Sequence, residues 1–465
     1  MFDGWKVALG AAMVVGLVGV ARAGMFSDEE RADVVRYWSE PGRYTVSTPK
    51  EAAKLGEWQV RLTPDGSQWL WKYNQARGLG KTPPAQTPPP KPDQVVWDQW
   101  IDARVAWDRF EAWNEAVSKN LAQGYALGSY PDLLPEKPGD APAGLLDLVG
   151  APPKFASAVR PLWHEIRFDD GQVVGYSDNP NMRARYAYYR FPDGVMSAGT
   201  PVRTLPQEEL DDLFEAAHVT DQEQRVMKAV SLLEGGFDSV NTYDTGFVSV
   251  GFIQFACLRE GGGSLGGVLL RLKSENPEAF QTTFRRFGID VTPEGLLAAV
   301  DPQTGDEAEG PAAAAKIIAK KPLIAVFQRA GQKSRPFRVA QIEVARDRYL
   351  PTHDPVVFTV GDRQIACTVA DIVKSDAGLA TLMDRKVNTG KLDPLAEVVA
   401  DIFATNKLSK PEELAKYERD LVAAIRFRKD YLADASLVQP GPAADPQRNY
   451  NPASRRGSRG GQPRP

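Results

Sequence analysis

Apolar positions recur at helical spacing through the second half of this chain. In the first half they alternate over short runs. Val226, Ala229, Val230 and Leu233 fall at i, i+3, i+4 and i+7, which predicts a helix with one buried face. Thr220 and Glu223 precede it with capping-box spacing, and Gly235-Gly236 stop it. A second stripe, Leu265, Val268, Leu269 and Leu272, follows the Gly261-Gly262-Gly263 run, and Phe280, Phe284 and Phe287 mark a third face. A helix is expected over 207–217 and a long terminal one over 411–432, with Arg426, Arg428 and Lys429 as a solvated basic face. Residues 301–310 read as an acidic, flexible loop.

Toward the N-terminus, Ser27 and Glu30 cap a short helix ending at Trp38. Alternating runs at 44–47 and 58–62 precede a Pro64-Asp65-Gly66-Ser67 turn and Trp69-Leu-Trp71-Lys-Tyr73, which predicts a hairpin. Residues 95–135 read as a helical region carrying Trp97, Trp100, Trp107 and Trp113. Aromatic faces can stack on sugar rings, but Trp more often anchors cores. Strands are expected over 154–205, with turns at Asp169-Asp170-Gly171 and Pro192-Asp-Gly194.

The expected fold class is multidomain α+β: small β-containing N-terminal modules and a mostly α-helical C-terminal domain. The expected partition is a signal peptide (1–24), a small α+β module (25–80), a Pro-rich linker (81–95), a Trp-rich helical and β-hairpin region (96–215), a catalytic domain (216–435) and a disordered Arg-rich tail (436–465). The signal-peptide reading rests on Lys6, the apolar run 7–20 and Ala21-Arg22-Ala23, and implies a secreted or envelope protein. An uncleaved anchor, or a cytoplasmic product starting at Met25, are the alternatives.

A net charge of −4 gives no overall nucleic-acid signal. The tail's arginines could contact anionic wall polymers or a membrane, or serve only solubility. Three histidines, His164, His218 and His353, without metal-ligand spacing predict no metal site and no cofactor, and His164 reads as structural. Cys257 and Cys367 are either one bridge or two buried thiols.

The candidate chemistry lies between 234 and 255. Glu234 ends the capped helix, beside the negative pole of its dipole, which favours a protonated carboxyl. Asp244 follows ten residues later. Two carboxylates across a cleft are what glycoside hydrolysis uses, one as acid and one to activate water or attack. An acid capping a glycine nest and an Asx turn is the plainer reading.

A helix-ending Glu, a loop, then Ser249-Val-Gly251-Phe-Ile-Gln254-Phe255 resembles the lysozyme-like superfamily of glycosidases. Asn241-Thr-Tyr-Asp244 with Ser249 and Gly251 is similar to the second catalytic segment of chitosanases. Arg335-Pro-Phe-Arg338-Val-Ala340-Gln341 resembles that family's long central helix, and Ser375 to Gly390, with Asp384 and Asn388, the helix after it. The resemblance covers residues 216–432, with a shorter Glu234-to-Asp244 gap than in chitosanases. It implies Glu234 as general acid, Asp244 as base, Ser249 holding the water, and Asn241, Tyr243, Gln254 and Gln341 around the substrate. The implied partner is an amino-sugar polymer, peptidoglycan or chitosan. A transglycosylase-like enzyme using Glu234 alone, a non-catalytic glycan-binding protein and a structural envelope protein are the alternatives.

Overall fold

A computed structural model describes residues 24–79, 89–130 and 132–443. The expected signal peptide, most of the Pro-rich run and the Arg-rich end lie outside the described residues. The chain is mixed α+β, with several small antiparallel sheets set among helices. Among the described residues, no helix is long and apolar enough to cross a membrane.

The capped helix forms over Asp221–Ser231, with Thr220 and Glu223 making the reciprocal cap. It buries Val226, Ala229 and Val230, but it stops one turn earlier than the stripe predicts, and Leu233 is left exposed. It packs along the helix Asp376–Thr389, whose first ten residues are all buried. The helices Arg335–Tyr349 and Gly263–Glu275 pack on each other, and the latter buries its whole predicted stripe. The helix Lys321–Lys333 runs through the interior, buried on almost every side.

Against this body lies a four-stranded antiparallel sheet of very short strands: Met196–Ser197, Val240–Asn241, Ser249–Val250 and Phe255–Ala256. Its registers pair Met196 with Asn241, Asn241 with Ser249, and Val250 with Phe255. The last pair closes the predicted hairpin.

Several expectations are corrected. The run Trp69 to Tyr73 is helical, inside Pro64–Ala76. Thr63 accepts a hydrogen bond from the Gly66 amide at 3.1 Å and Pro64 starts the first turn, so Pro-Asp-Gly begins a helix instead of a hairpin. Trp69, Leu70 and Tyr73 then share its buried face. The strands Tyr44–Ser47 and Gln59–Leu62 do not pair with each other. They pair with Trp163–Arg167 and Ala156–Val159, so residues 25–80 are tied to the region after residue 150. The hairpin around Asp169-Asp170-Gly171 forms as expected, whereas Tyr186 to Phe191 makes only one isolated bridge, Tyr189 to Asp244. The 301–310 segment is not a free loop: it carries the strand Glu307–Glu309, and Glu307 accepts from the Met25 and Phe26 amides. The terminal helix is broken into Pro411–Tyr417, Glu418–Ile425 and Tyr431–Ala433. Leu437 is buried and the Val438 amide donates to Asp376, so order runs past the boundary expected at 435. Both cysteines are free thiols. His164 is structural, bonded to Tyr44 and Asp178.

One apolar core runs from Phe26, Val34 and Trp38 through Ile166, Phe168 and Phe214 to Leu437, crossing the boundary expected at residue 216. Trp38 donates its indole N–H to the Phe287 carbonyl, and Arg285 binds Glu30 and Asp290 together. The N-terminal helix is thus part of the core it shares with the residues beyond 216. Trp38→Ala in the full chain should cost about 3–5 kcal/mol by chemical denaturation; a loss within error would separate that helix from the core. Arg285 holds the Glu30 carboxyl down at about 2, below its ordinary 4.5. That contribution is complete above the ordinary value and disappears as pH falls toward 2. Acid should therefore loosen the Asp28–Trp38 helix, and hydrogen-exchange protection factors there should fall on acidification less in Glu30→Gln than in the wild type.

Candidate functional site

Glu234 lies in the turn that follows Asp221–Ser231, its amide bonded back to the Ser231 carbonyl. Its carboxylate meets Arg428, which arrives from the irregular segment after Glu418–Ile425. The same guanidinium binds Asp384, with Nε to Oδ1 at 2.9 Å, and the Arg428 amide reaches the other carboxylate oxygen at 3.3 Å. Asp384 is fully buried, and Asn388, one turn along its helix, donates to the Asp384 carbonyl at 2.8 Å. Tyr431 brings a buried hydroxyl without a hydrogen-bond partner close to this group of charges. Arg428 is exposed, as the basic-face reading expects, but it is also paired. It is the cation on which two carboxylates converge.

Burial raises the Glu234 pKa above the ordinary carboxylate range. Arg428 opposes that shift and Asp384 adds to it. The direction matches what the helix terminus predicts, but the dominant cause is loss of solvent.

Asp244 has a different set of partners. Asn241 Nδ2 donates to Oδ2 at 2.9 Å and the Gly246 amide to Oδ1 at 2.8 Å. Tyr186 adds a hydroxyl, and the positive charge of Arg190 acts on it. Burial raises this pKa too, against those donors. Ser249 is buried in the strand facing Asn241. A side-chain carbon built on Gly246 would lie 2.4 Å from the Ser249 hydroxyl and 3.1 Å from Asp244 Oδ1, so the two oxygens face one point. Tyr243 is nearly buried, its ring 6.1 Å from Tyr186 and its amide bonded to Asn241 Oδ1. Asn241, Tyr243, Asp244 and Ser249 thus form one cluster.

The two predicted glutamines lie elsewhere. Gln254 Nε2 donates to Ser239 Oγ at 2.7 Å and to the Gly251 carbonyl at 3.2 Å. Gln341 is completely buried, donating to the Phe237 carbonyl and accepting from the Phe252 amide. A side chain with no solvent contact cannot touch a polymer, so Gln341 is corrected from substrate residue to clamp. Both glutamines hold the loop after Glu234 onto the Gly251 turn. That loop also needs two glycines. A carbon on Gly236 would meet the Thr200 carbonyl at 1.9 Å, and one on Gly331 would meet the Phe237 carbonyl at 2.3 Å.

Phe247, Gln254 and Leu258 all have positive φ, at 64°, 55° and 58°. Left-handed backbone costs a non-glycine residue about 1–2 kcal/mol each, and such strain gathers where geometry serves a site. Two concavities are lined elsewhere: a groove of 720 Å³ by Leu270, Arg271, Glu275 and Arg348, and a recess of 150 Å³ by Thr200, Asp238, Gln332 and Arg338. Neither is lined by Glu234 or Asp244. Among the described residues no group of His, Cys, Asp and Glu could hold a metal ion.

Sequence reasoning gave no part in the site to Arg428, Tyr431 or Tyr186. Arg428 is 194 residues from Glu234, and no local spacing marks it. Its one signal is the failure of helical periodicity after Ile425.

Asp384→Asn leaves Arg428 without its fully buried anion and should cost about 1.5–3 kcal/mol, the worth of hydrogen bonds to a charged group. An unchanged denaturation midpoint would remove the bridge from the core argument. For Asp244, whose pKa is raised on folding, stability is greatest below the unfolded value and falls as pH rises through the folded one. Asp244→Asn should therefore gain thermal stability relative to wild type at neutral pH and lose that gain near pH ~3, below the unfolded carboxylate value.

No family model, curated protein or solved structure matches this chain, and the functional reading rests on its own residues.

Proposed function

We propose that the chain is a glycoside hydrolase of lysozyme-like fold acting on an amino-sugar polymer, exported to the cell envelope. Glu234 protonates the leaving glycosidic oxygen. Asp244 takes a proton from water held beside Ser249. The observation that carries the reading is a pair of carboxyls ten residues apart in the chain, both pushed toward the protonated form by burial and both fixed by dedicated donors. An acid needs that direction of shift to keep its proton near neutral pH. Asn241 and the Gly246 amide fix Asp244 while leaving it lone-pair capacity for water. If Glu234 acts alone, the same constellation serves a transglycosylase-like reaction.

A second reading is favoured by Arg428. It already occupies one Glu234 oxygen, and neither concavity reaches that carboxyl, as suits a non-catalytic glycan-binding protein.

Turnover of peptidoglycan and of chitosan by the full-length protein decides between them. Glu234→Gln should lower kcat by about 10²–10⁴-fold with little change in binding. Asp244→Asn should be equally severe for a two-carboxylate hydrolase and mild for a transglycosylase-like enzyme. With both carboxyl pKa values raised, both limbs of the pH–rate profile should lie above the usual carboxylate range, and Glu234→Gln should abolish the alkaline limb. Absence of turnover by the wild-type protein on either polymer would leave the binding reading.

A further inference from the structure

The chain enters its first helix, Asp28–Trp38, through a collar of charged side chains. Glu307 accepts from the Met25 amide through Oε1 at 2.6 Å and from the Phe26 amide through Oε2 at 3.2 Å. Arg285 Nη2 donates to the Met25 carbonyl at 2.7 Å, and Arg31 Nη1 to the Phe26 carbonyl at 2.8 Å. All four backbone polar groups of two consecutive residues are thus held by ions, drawn from a strand, a 3₁₀ turn and the helix itself. The Phe26 ring is buried in the core, its centroid 4.7 Å from the Arg285 guanidinium. A chain end stays well ordered only where it is tied down, and this collar ties it.

Gly24, exposed and one residue ahead of the collar, approaches the same carboxylate. A side-chain carbon built on it would lie 2.5 Å from Glu307 Oε2 and 3.4 Å from Arg31 Nη1, so the Gly24 nitrogen, bonded to the same α-carbon, starts within reach of that oxygen. The Glu307 side chain is only 11% exposed. It accepts from the two amides and from Arg31 Nη1 at 3.4 Å, which leaves capacity for a further donor out of the about four that a carboxylate takes. Positive charge is in deficit here. Among the described residues, three cations, Arg31, Arg285 and Lys273, share four carboxylates, Asp28, Glu30, Asp290 and Glu307. One more cation beside Glu307 evens that count. The small-x-small run Ala21-Arg22-Ala23 ends at the residue before Gly24.

We propose that Glu307 is the receptor for a processed chain terminus. A peptidase acting during export hydrolyses the Ala23–Gly24 peptide bond. Water supplies the oxygen of the new Ala23 carboxylate, and the Gly24 nitrogen leaves as an α-ammonium. That ammonium pairs with the Glu307 carboxylate and fastens the Asp28–Trp38 helix to the core it shares with the residues beyond 216. Before the cut the same nitrogen is a neutral amide with a single N–H to offer. This rests on the export part of the proposed function and is independent of its chemistry.

An amine that gains an anionic partner has its pKa raised above the ordinary ~8. Its stabilisation is complete below about pH 8 and is lost as pH rises through the raised value. The test uses the chain 24–465 in two forms, with the Gly24 amine free and with it acetylated, which removes the charge but keeps the Met25 and Phe26 amides. The free form should melt about 2 °C or more higher near pH ~6, and the difference should vanish by about pH 11. Glu307→Gln keeps an acceptor oxygen without the charge, and there the two forms should melt together at every pH. Mass spectrometry of the native protein should find its terminus at Gly24. That terminus with equal melting of the two forms, or a difference that survives Glu307→Gln, would overturn the pairing and leave export standing. A terminus at Met1 or Met25 would overturn both.

Discussion

One guanidinium holds this site together. Arg428 binds Asp384, which has no solvent contact, and Glu234, which has little. A buried carboxylate without a cation or donors is costly, and removing one partner of such a bridge costs more than the bridge itself contributes. The contact therefore constrains three elements at once: the turn after Asp221–Ser231, the middle of Asp376–Thr389, and the irregular chain after Ile425. Those elements lie far apart in sequence, and only their packing brings the charges together. The break in the terminal helix follows from this. A continuous helix over 411–432 would keep Arg428 on a helical surface. Ending the helix at Ile425 lets the backbone carry the exposed Arg428 across to Asp384 and Glu234 and bring Tyr431 beside it.

The loop after Glu234 is fixed just as firmly from its other side. Gly236 lies against the Thr200 carbonyl and Gly331 against the Phe237 carbonyl, while Gln341 and Gln254 tie the loop to the Gly251 turn. Asp238 is buried and accepts from Thr200 and Gln332. Preorganised side chains need this kind of support, because a displacement of about an ångström can remove most of a catalytic advantage. Here the support comes from interior backbone contacts that no longer side chain could allow.

What was legible in the sequence was local. The Thr220–Glu223 box, the Leu265–Leu272 stripe and the Ser249 to Phe255 hairpin are written in residues a few positions apart, and all formed. The cluster of Asn241, Tyr243, Asp244 and Ser249 was legible for the same reason. Pairings across long separations were not. Tyr44 meets Ile166 and Gln59 meets Val159, and nothing within either strand names its partner. The Pro64-Asp-Gly run reads equally well as a turn or as a first helical turn, and Thr63 alone decides it. Gln341 was misread because a glutamine on a helix face carries no mark of burial; only the approach of Phe237 and Phe252 gives it partners inside. Arg428 and Tyr186 were invisible because their meaning depends on carboxylates on other elements.

The two carboxyls also differ in a way that bears on which of them carries a proton. Asp244 is surrounded by neutral donors, an amide, a backbone N–H and a hydroxyl, with one arginine at a distance. Around Glu234, the Arg428 guanidinium faces two carboxylates, and the Arg385 charge also acts on Asp384. Loss of solvent is the largest influence on the Glu234 carboxyl and raises its pKa; Arg428 and the Asn388 side chain oppose that shift, and the Asp384 charge adds to it. Repulsion of that kind is weakly screened in a poorly solvated place. The bridge orients the Glu234 carboxyl while burial favours its protonated form, and orientation together with a retained proton is what a general acid requires.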